Sequence, residues 1–157
     1  MSTVASAIAD STRDYLTIFV GDQIFGLPIL QTQDVLGEQR VTRVPLAQPE
    51  IAGALNLRGR IVTAVNMRAC LSMGAREDAG KTMHVVVEHG GELYSLMIDK
   101  VGDVMSLAMR DYENNPSTLD AAWRSVSNGI YRLKERLLVV LDIPRLLDAL
   151  EPKTESE

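Results

Sequence analysis

Residues 53–71 read GALNLRGRIVTAVNMRACL, and this stretch decides the architecture because its design returns near the C-terminus. Residues 129–147 read GIYRLKERLLVVLDIPRLL, about 76 places further on. In register, Gly53 falls on Gly129, Leu57 on Leu133, Arg60 on Arg136 and Leu71 on Leu147. Between them Val65 meets Leu141, and Asn66-Met67 meets Asp142-Ile143. Each copy is a β-rich apolar run closed by Asn or Asp, whose side-chain oxygen can accept from the free N–H groups of a helix's first turn. The pattern predicts a short apolar helix over 67–73 and another over 143–150. Pro144 would sit near the start of the second, where a missing N–H costs nothing. The upstream halves agree at a shift of about 69: Phe25-Gly26-Leu27-Pro28-Ile29 lies on Tyr94-Ser95-Leu96-Met97-Ile98, and Asp34-Val35 on Asp103-Val104. A repeat constrains the fold more than any single element does. The chain holds two β-rich units of similar design.

Alternation over 15–20 puts Leu16, Ile18 and Val20 on one side and Tyr15, Thr17 and Phe19 on the other. With Gly21-Asp22 as turn and 24–29 as a second strand, this is a hairpin. Further strands are expected at 32–36, 41–44 and 60–65, with one or two helical turns over 49–55. Five short strands joined by tight turns leave no room for crossover helices, so the unit is expected to be a small barrel. The polar run 74–81 marks the boundary between units. In the second unit, strands at 83–88 and 93–98 flank Gly90-Gly91, a two-residue hairpin signal. A strand at 101–107 follows, with Gly102 as a candidate bulge, then a loop over 112–118 and a helical turn over 119–123. Strands at 126–133 and 137–141 complete the unit. The expected organisation is a flexible tail at 1–14, a first barrel at 15–80, a second barrel at 81–142, a C-terminal helix at 143–150 and a charged tail at 151–157.

At 157 residues the chain is one domain or two small ones, and 46% hydrophobic content suits a packed globule. A formal net charge of −5 argues against nucleic-acid binding. One cysteine, Cys70, excludes an internal disulfide and a multi-cysteine zinc site, and fits a reducing cytosol. No run of about 18 apolar residues offers a membrane span, and the N-terminus lacks the pattern of a secretory signal. His84 and His89 are the only histidines, and no paired-ligand spacing exists, so neither metal nor cofactor is expected. No Gly-rich loop leads into a long helix, so there is no phosphate cradle. Cys70 fits a small buried hydrophobe. An enzyme with a site between the barrels would need Asp34, Asp103 and His84 to converge, which their strand positions do not require. An oligonucleotide or oligosaccharide barrel would want exposed aromatics, and aromatics are 4% of the chain. Arg58 asks for explanation: it stands at a turn, in Asn56-Leu57-Arg58-Gly59, just before a strongly apolar strand.

That segment, followed by Ile61-Val62 and Asn66-Met67-Arg68, resembles the signature of CheW-type chemotaxis coupling proteins. Phe25-Gly26-Leu27-Pro28-Ile29 resembles the family's aromatic-Gly-Ile segment. Gln33-Asp34-Val35-Leu36-Gly37, Val41-Thr42-Arg43-Val44-Pro45 and Ile98-Asp99-Lys100-Val101-Gly102-Asp103-Val104 fit its later strands. The resemblance runs over about 15–150. It implies a mostly β fold of two five-stranded SH3-like barrels packed together, with short helices and a C-terminal helix. It also implies an adaptor without catalysis or cofactor. Such an adaptor bridges the cytoplasmic domain of a methyl-accepting chemoreceptor and the regulatory domain of a CheA-type histidine kinase, in the cytoplasm at membrane-associated receptor arrays. Neither nucleic acid nor direct membrane insertion is implied. By resemblance the kinase-binding positions are Asp34, Val35, Gly53 and Arg58, with Asp34 and Arg58 adjacent and exposed on the first barrel. The receptor-binding positions are Ile29, Thr32, Met83, Val101 and Val104, an apolar groove for a helical tip; Ile29 equally suits the core. Two departures stand out. Thr63 and Asn66 occupy places where the family usually has Pro and Asp, and Asn keeps the cap chemistry. Asp34 replaces a common Glu, which leaves an output other than chemotaxis open.

Overall fold

Among the residues described by the computed structural model, 11–76 and 80–150, ten strands form two five-stranded sheets. In chain order they are β1 (Thr12–Val20), β2 (Gln23–Pro28), β3 (Thr32–Leu36), β4 (Ile51–Leu57), β5 (Arg60–Asn66), β6 (Met83–His89), β7 (Glu92–Ile98), β8 (Lys100–Ala108), β9 (Ser127–Arg132) and β10 (Leu137–Leu141). Three helices are α1 (Met67–Cys70), α2 (Ala121–Arg124) and α3 (Ile143–Leu150). One sheet runs β3-β6-β7-β5-β4, the other β8-β1-β2-β10-β9.

The repeat survives in the coordinates. The parallel pair β5–β7 in one sheet matches β10–β2 in the other. A register shift between Thr32 and Asp34 matches the bulge that places Gly102 and Asp103 opposite Thr17. Yet the sheets do not follow the expected division at 15–80 and 81–142. The third strand of each repeat leaves its own hairpin: β3 pairs with β6, and β8 pairs with β1. One sheet is therefore the contiguous span 32–98, inserted between the β1–β2 hairpin and β8–β10 of the other. Two local expectations also fail. Of residues 49–55, 49–50 form a turn and 51–55 belong to strand β4, not to a helix, and of 41–44 only Thr42 pairs, in a bridge to Ala54. β1 starts at Thr12, inside the expected N-terminal tail; the remainder of that tail, at 1–10, and the tail at 151–157 lie outside the described residues.

Two glycines make the barrels close. A Cβ on Gly53 would stand 2.1 Å from the Thr42 carbonyl oxygen, and one on Gly129 would stand 2.5 Å from that of Glu113. These are the equivalent points where the Thr42–Ala54 and Glu113–Ile130 bridges join the returning chain to β4 and β9. The predicted caps are in place: Ala69 N–H donates to Asn66 Oδ1 at 3.2 Å, and Arg145 N–H to Asp142 Oδ1 at 3.0 Å. α3 has the predicted bounds, whereas α1 ends after one turn, with Ser72 in the left-handed region at φ 55°.

Alternation along the strands builds three apolar layers. Leu16, Ile18 and Val20 of β1 join Val85 and Val87 of β6 in a core shared by the two sheets, sealed by Ile143, Leu146, Leu147 and Leu150 of α3. Each buried side chain of that size contributes about 1.5–3 kcal/mol, so α3 is held by its buried face. On the opposite faces lie the two barrel interiors. One contains Tyr15, Ile24, Tyr131, Leu138 and Val140; the other contains Leu55, Val62 and Ala64. The repeat sets His84 where the first interior has Tyr15, and each finds a polar mate. Tyr15 and Tyr131 hydroxyls are 3.4 Å apart, and His84 Nδ1 shares a 2.7 Å hydrogen bond with Ser95 Oγ. Burial depresses the His84 pKa. Across the sheets, Arg68 of α1 grips Asp99 with Nη2–H and Nε–H at 2.6 and 3.3 Å, and Gly21 N–H donates to the same carboxylate at 2.8 Å.

Candidate protein-docking surface

The hairpin between β4 and β5 turns on two residues, Arg58 at φ 52° and Gly59 at φ 85°, with Leu57 opposite Arg60. Positive φ at both positions is the type I′ turn, whose usual sequence is Asn-Gly. An L-residue with a longer side chain pays roughly 1–2 kcal/mol for the left-handed conformation. Asn56 Oδ1 steadies the turn by accepting from Gly59 N–H at 3.0 Å. Arg58 Nη2–H donates to Asp34 Oδ2 at 3.3 Å, with side-chain exposures of 77% and 33%. Asp34 Oδ1 in turn accepts from Val35 N–H at 2.8 Å. So open an ion pair contributes about 0–1 kcal/mol, too little to offset the strain of the turn. What the pair does achieve is orientation: one nitrogen of the guanidinium is engaged while the rest of its rigid donor fork faces solvent.

Exposed apolar side chains follow both members of the pair in the sequence. Val35 is 40% exposed and Ile61 is 71% exposed. Ile61 is absent from the candidates named from sequence, although alternation could have found it: Val62 is fully buried, so its neighbour on β5 must face outward. Asp34 and Arg58 thus meet at the surface, with Val35 exposed next to Asp34 on β3. Gly53 is buried, and its place is explained by the close approach of Thr42.

Ile29, Met83 and Val101 are half-buried and pack against the shared core. Thr32 is half-buried and its Oγ1–H donates to Ile29 O at 2.8 Å. Ile29 closes β2 in a one-turn 3-10 helix and Val101 lies just inside β8, so both mark the points where the chain crosses between sheets. Val104, at 52% exposure on β8, stands free. Leu30 beside Ile29 is more open still, and the 3-10 turn that exposes it was not legible in the sequence.

No catalytic constellation assembles from the residues considered. His84 bonds Ser95, Asp34 bonds Arg58, and Asp103 lies on the other sheet. Among the described residues no group of three or more His, Cys, Asp or Glu could hold a metal ion, and no helix is long and apolar enough to cross a membrane. Burial, aided by the charge of Glu50, pushes the Cys70 thiol up to about 12, which leaves it protonated and unreactive.

The fold is thus two interlocked barrels, with an oriented arginine and apolar side chains on the outside. The chain belongs to the CheW-like domain family, whose description covers residues 14–151. It is similar to the chemotaxis protein CheW of Rhizobium meliloti, 26% identical over 100% of this chain and 99% of that protein. It is also similar to the chemotaxis protein CheW of Klebsiella aerogenes, 27% identical over 96% of this chain and 92% of that protein. Among solved structures, the scaffolding protein TtCheW of Thermoanaerobacter tengcongensis superposes with a TM-score of 0.77 at 21% identity, over 86% of this chain and 92% of that one.

Proposed function

We propose that the protein is a non-catalytic adaptor of chemotaxis signalling, coupling the cytoplasmic domain of a chemoreceptor to the regulatory domain of a CheA-type histidine kinase. One observation carries the kinase half of this reading. Arg58 occupies a turn position that Asn or Gly would fill without strain, and the half-buried carboxylate of Asp34 orients it, with Val35 and Ile61 exposed nearby in the sequence. A residue kept where it destabilises its own chain is best explained by a partner. Membership in the family and likeness to curated CheW proteins support the pathway. The receptor half rests on Val104 and on the half-buried Ile29, Thr32, Met83 and Val101 at the crossings between sheets. Small apolar side chains there would let a helical tip approach closely.

The experiment is a reconstitution from purified receptor signalling fragment, kinase and this chain. Adding the chain is expected to change kinase autophosphorylation in a receptor-dependent way. The isolated chain is expected to hydrolyse no ATP. Hydrolysis abolished by a point mutation in the chain, or kinase activity indifferent to its presence, would overturn the adaptor reading.

A further inference from the structure

Another residue with positive φ lies in the connection between β3 and β4, in the same half of the molecule as Arg58. Val44, Pro45, Leu46 and Ala47 form a four-residue turn closed by Ala47 N–H donating to Val44 O at 3.3 Å. Proline in second place suits this turn, and the third residue must take positive φ, which calls for Gly or Asn. The third residue is Leu46, at φ 64°. Its side chain gains nothing inside the molecule, because it is fully exposed at 103%, and Val44 beside it is 46% exposed. Backbone strain and an apolar side chain held in water both weigh against leucine in the isolated chain. The base of the loop is nevertheless fixed: Gln48 Nε2–H donates to Leu150 O, at the end of α3, at 2.8 Å.

The turn forms one wall of a cavity of about 900 Å³ that Ile51, Tyr94 and Leu150 also line. Glu92 and Asp148 line it as well, and Asp148 Oδ1 lies 2.7 Å from His89 Nε2. Among the described residues no Lys or Arg lines it. We infer that Leu46 and this cavity form a docking site for a segment of the partner kinase's regulatory domain that presents an apolar side chain flanked by Lys or Arg. The inference rests on the adaptor reading above and extends the kinase-facing surface to a new place. Continuity supports it, since Gly53 and Ala54, at the closure of the same barrel, line the cavity as well. Charge argues against a second copy of this chain as the occupant. A second copy would set acidic rim against acidic rim, on molecules of formal net charge −5 each.

The test uses the full chain and the purified regulatory domain of its kinase, with wild type, Leu46→Asn and Glu92→Lys compared by calorimetry and thermal unfolding. Asn accepts positive φ, so Leu46→Asn should raise the melting temperature by roughly 2–4 °C. The same substitution should weaken kinase binding roughly 10- to 100-fold, the worth of one buried leucine. Glu92→Lys should weaken binding as well. Wild-type binding that Leu46→Asn leaves unchanged overturns this inference and leaves the adaptor reading standing. Absence of any wild-type binding overturns the adaptor reading itself. Tighter binding by Glu92→Lys would mean an acidic partner segment and refute the chemistry assigned here. A dimer seen in sedimentation that Leu46→Asn dissolves would name a second copy as the occupant and refute the inference too.

Discussion

Replacing Arg58 by Asn separates what the residue does for the fold from what it does for a partner. The turn holds position 58 at φ 52°, next to Gly59 at φ 85°, and Asn-Gly is the sequence such a turn favours. Relief of left-handed strain should return about 1 kcal/mol. Loss of the exposed contact to Asp34, whose partner side chain is 77% open, should cost about 0–1 kcal/mol. The net effect is a gain of up to about 1 kcal/mol, or roughly 2–4 °C in melting temperature for a chain of this size. Urea titration should show a higher midpoint at unchanged slope. Binding to the kinase regulatory domain should move the other way, by roughly 10- to 100-fold, as expected when an oriented guanidinium leaves an interface. Arg58→Lys should restore only part of this, because an ammonium lacks the planar fork. The double swap Asp34→Arg with Arg58→Asp distinguishes the pair from its members. Partial recovery means that the pairing itself positions the donor; no recovery means that each side chain meets the partner separately. A fall of several degrees in Arg58→Asn would show the arginine holding its own fold and refute the reasoning at its root.

Four further outcomes can be checked in purified protein. Gly53→Ala and Gly129→Ala should each destabilise by about 3 kcal/mol or more, measured by denaturant unfolding, because the new Cβ meets a backbone carbonyl at 2.1 and 2.5 Å. Leu147→Ala, in the sealed face of α3, should cost about 2–5 kcal/mol in the same assay. Burial alone would raise the Asp99 pKa; hydrogen bonds from Arg68 and Gly21 N–H, with the charges of Arg68 and Arg76, outweigh it and hold the pKa below the usual carboxylate range. Its contribution is therefore present above a pH of about 4 and lost as pH falls through the depressed value, so the gap between wild type and Asp99→Asn should close in acid. Val104→Asp should weaken receptor binding without unfolding, whereas Val101→Asp, packed on the core, should lower the melting temperature as well.

Much of this architecture was legible because local rules and the repeat agreed. The repeat and the Asp142 cap gave α3 its bounds, Gly90-Gly91 gave a hairpin, and period-two alternation over 15–20 separated Leu16, Ile18 and Val20 of the shared core from Tyr15 and Phe19 of the first barrel interior. Strand β4 was missed because Ala52-Gly53-Ala54 has little β-propensity; its strand character comes from pairing with β5 and from the close pass of Thr42. The exchange of third strands was illegible for a different reason. Two repeats of like pattern offer nearly equal edges to β3 and β8, and nothing within ten residues says which edge wins. On the surface, the Asp34–Arg58 contact followed from family resemblance, not from spacing. Leu46 shows itself only through its φ, since Pro-Leu-Ala in a sequence names no turn type.

The insertion of one sheet within the other sets an order of events at synthesis. Strands β3 to β7 are complete once Ile98 has emerged from the ribosome, and can pair while the rest is still being made. The β1–β2 hairpin leaves the ribosome before them and must wait. Leu16 finds its partner only when Val104 appears, and Ile24 only when Leu138 does. During that wait both edges of the hairpin are unpaired and able to join another chain. Contacts closed over such separations are slow to form. A nascent chain stopped short of β9 would carry one finished barrel and one open edge on β2, so the arrival of β9 and β10 is what withdraws that edge from other chains.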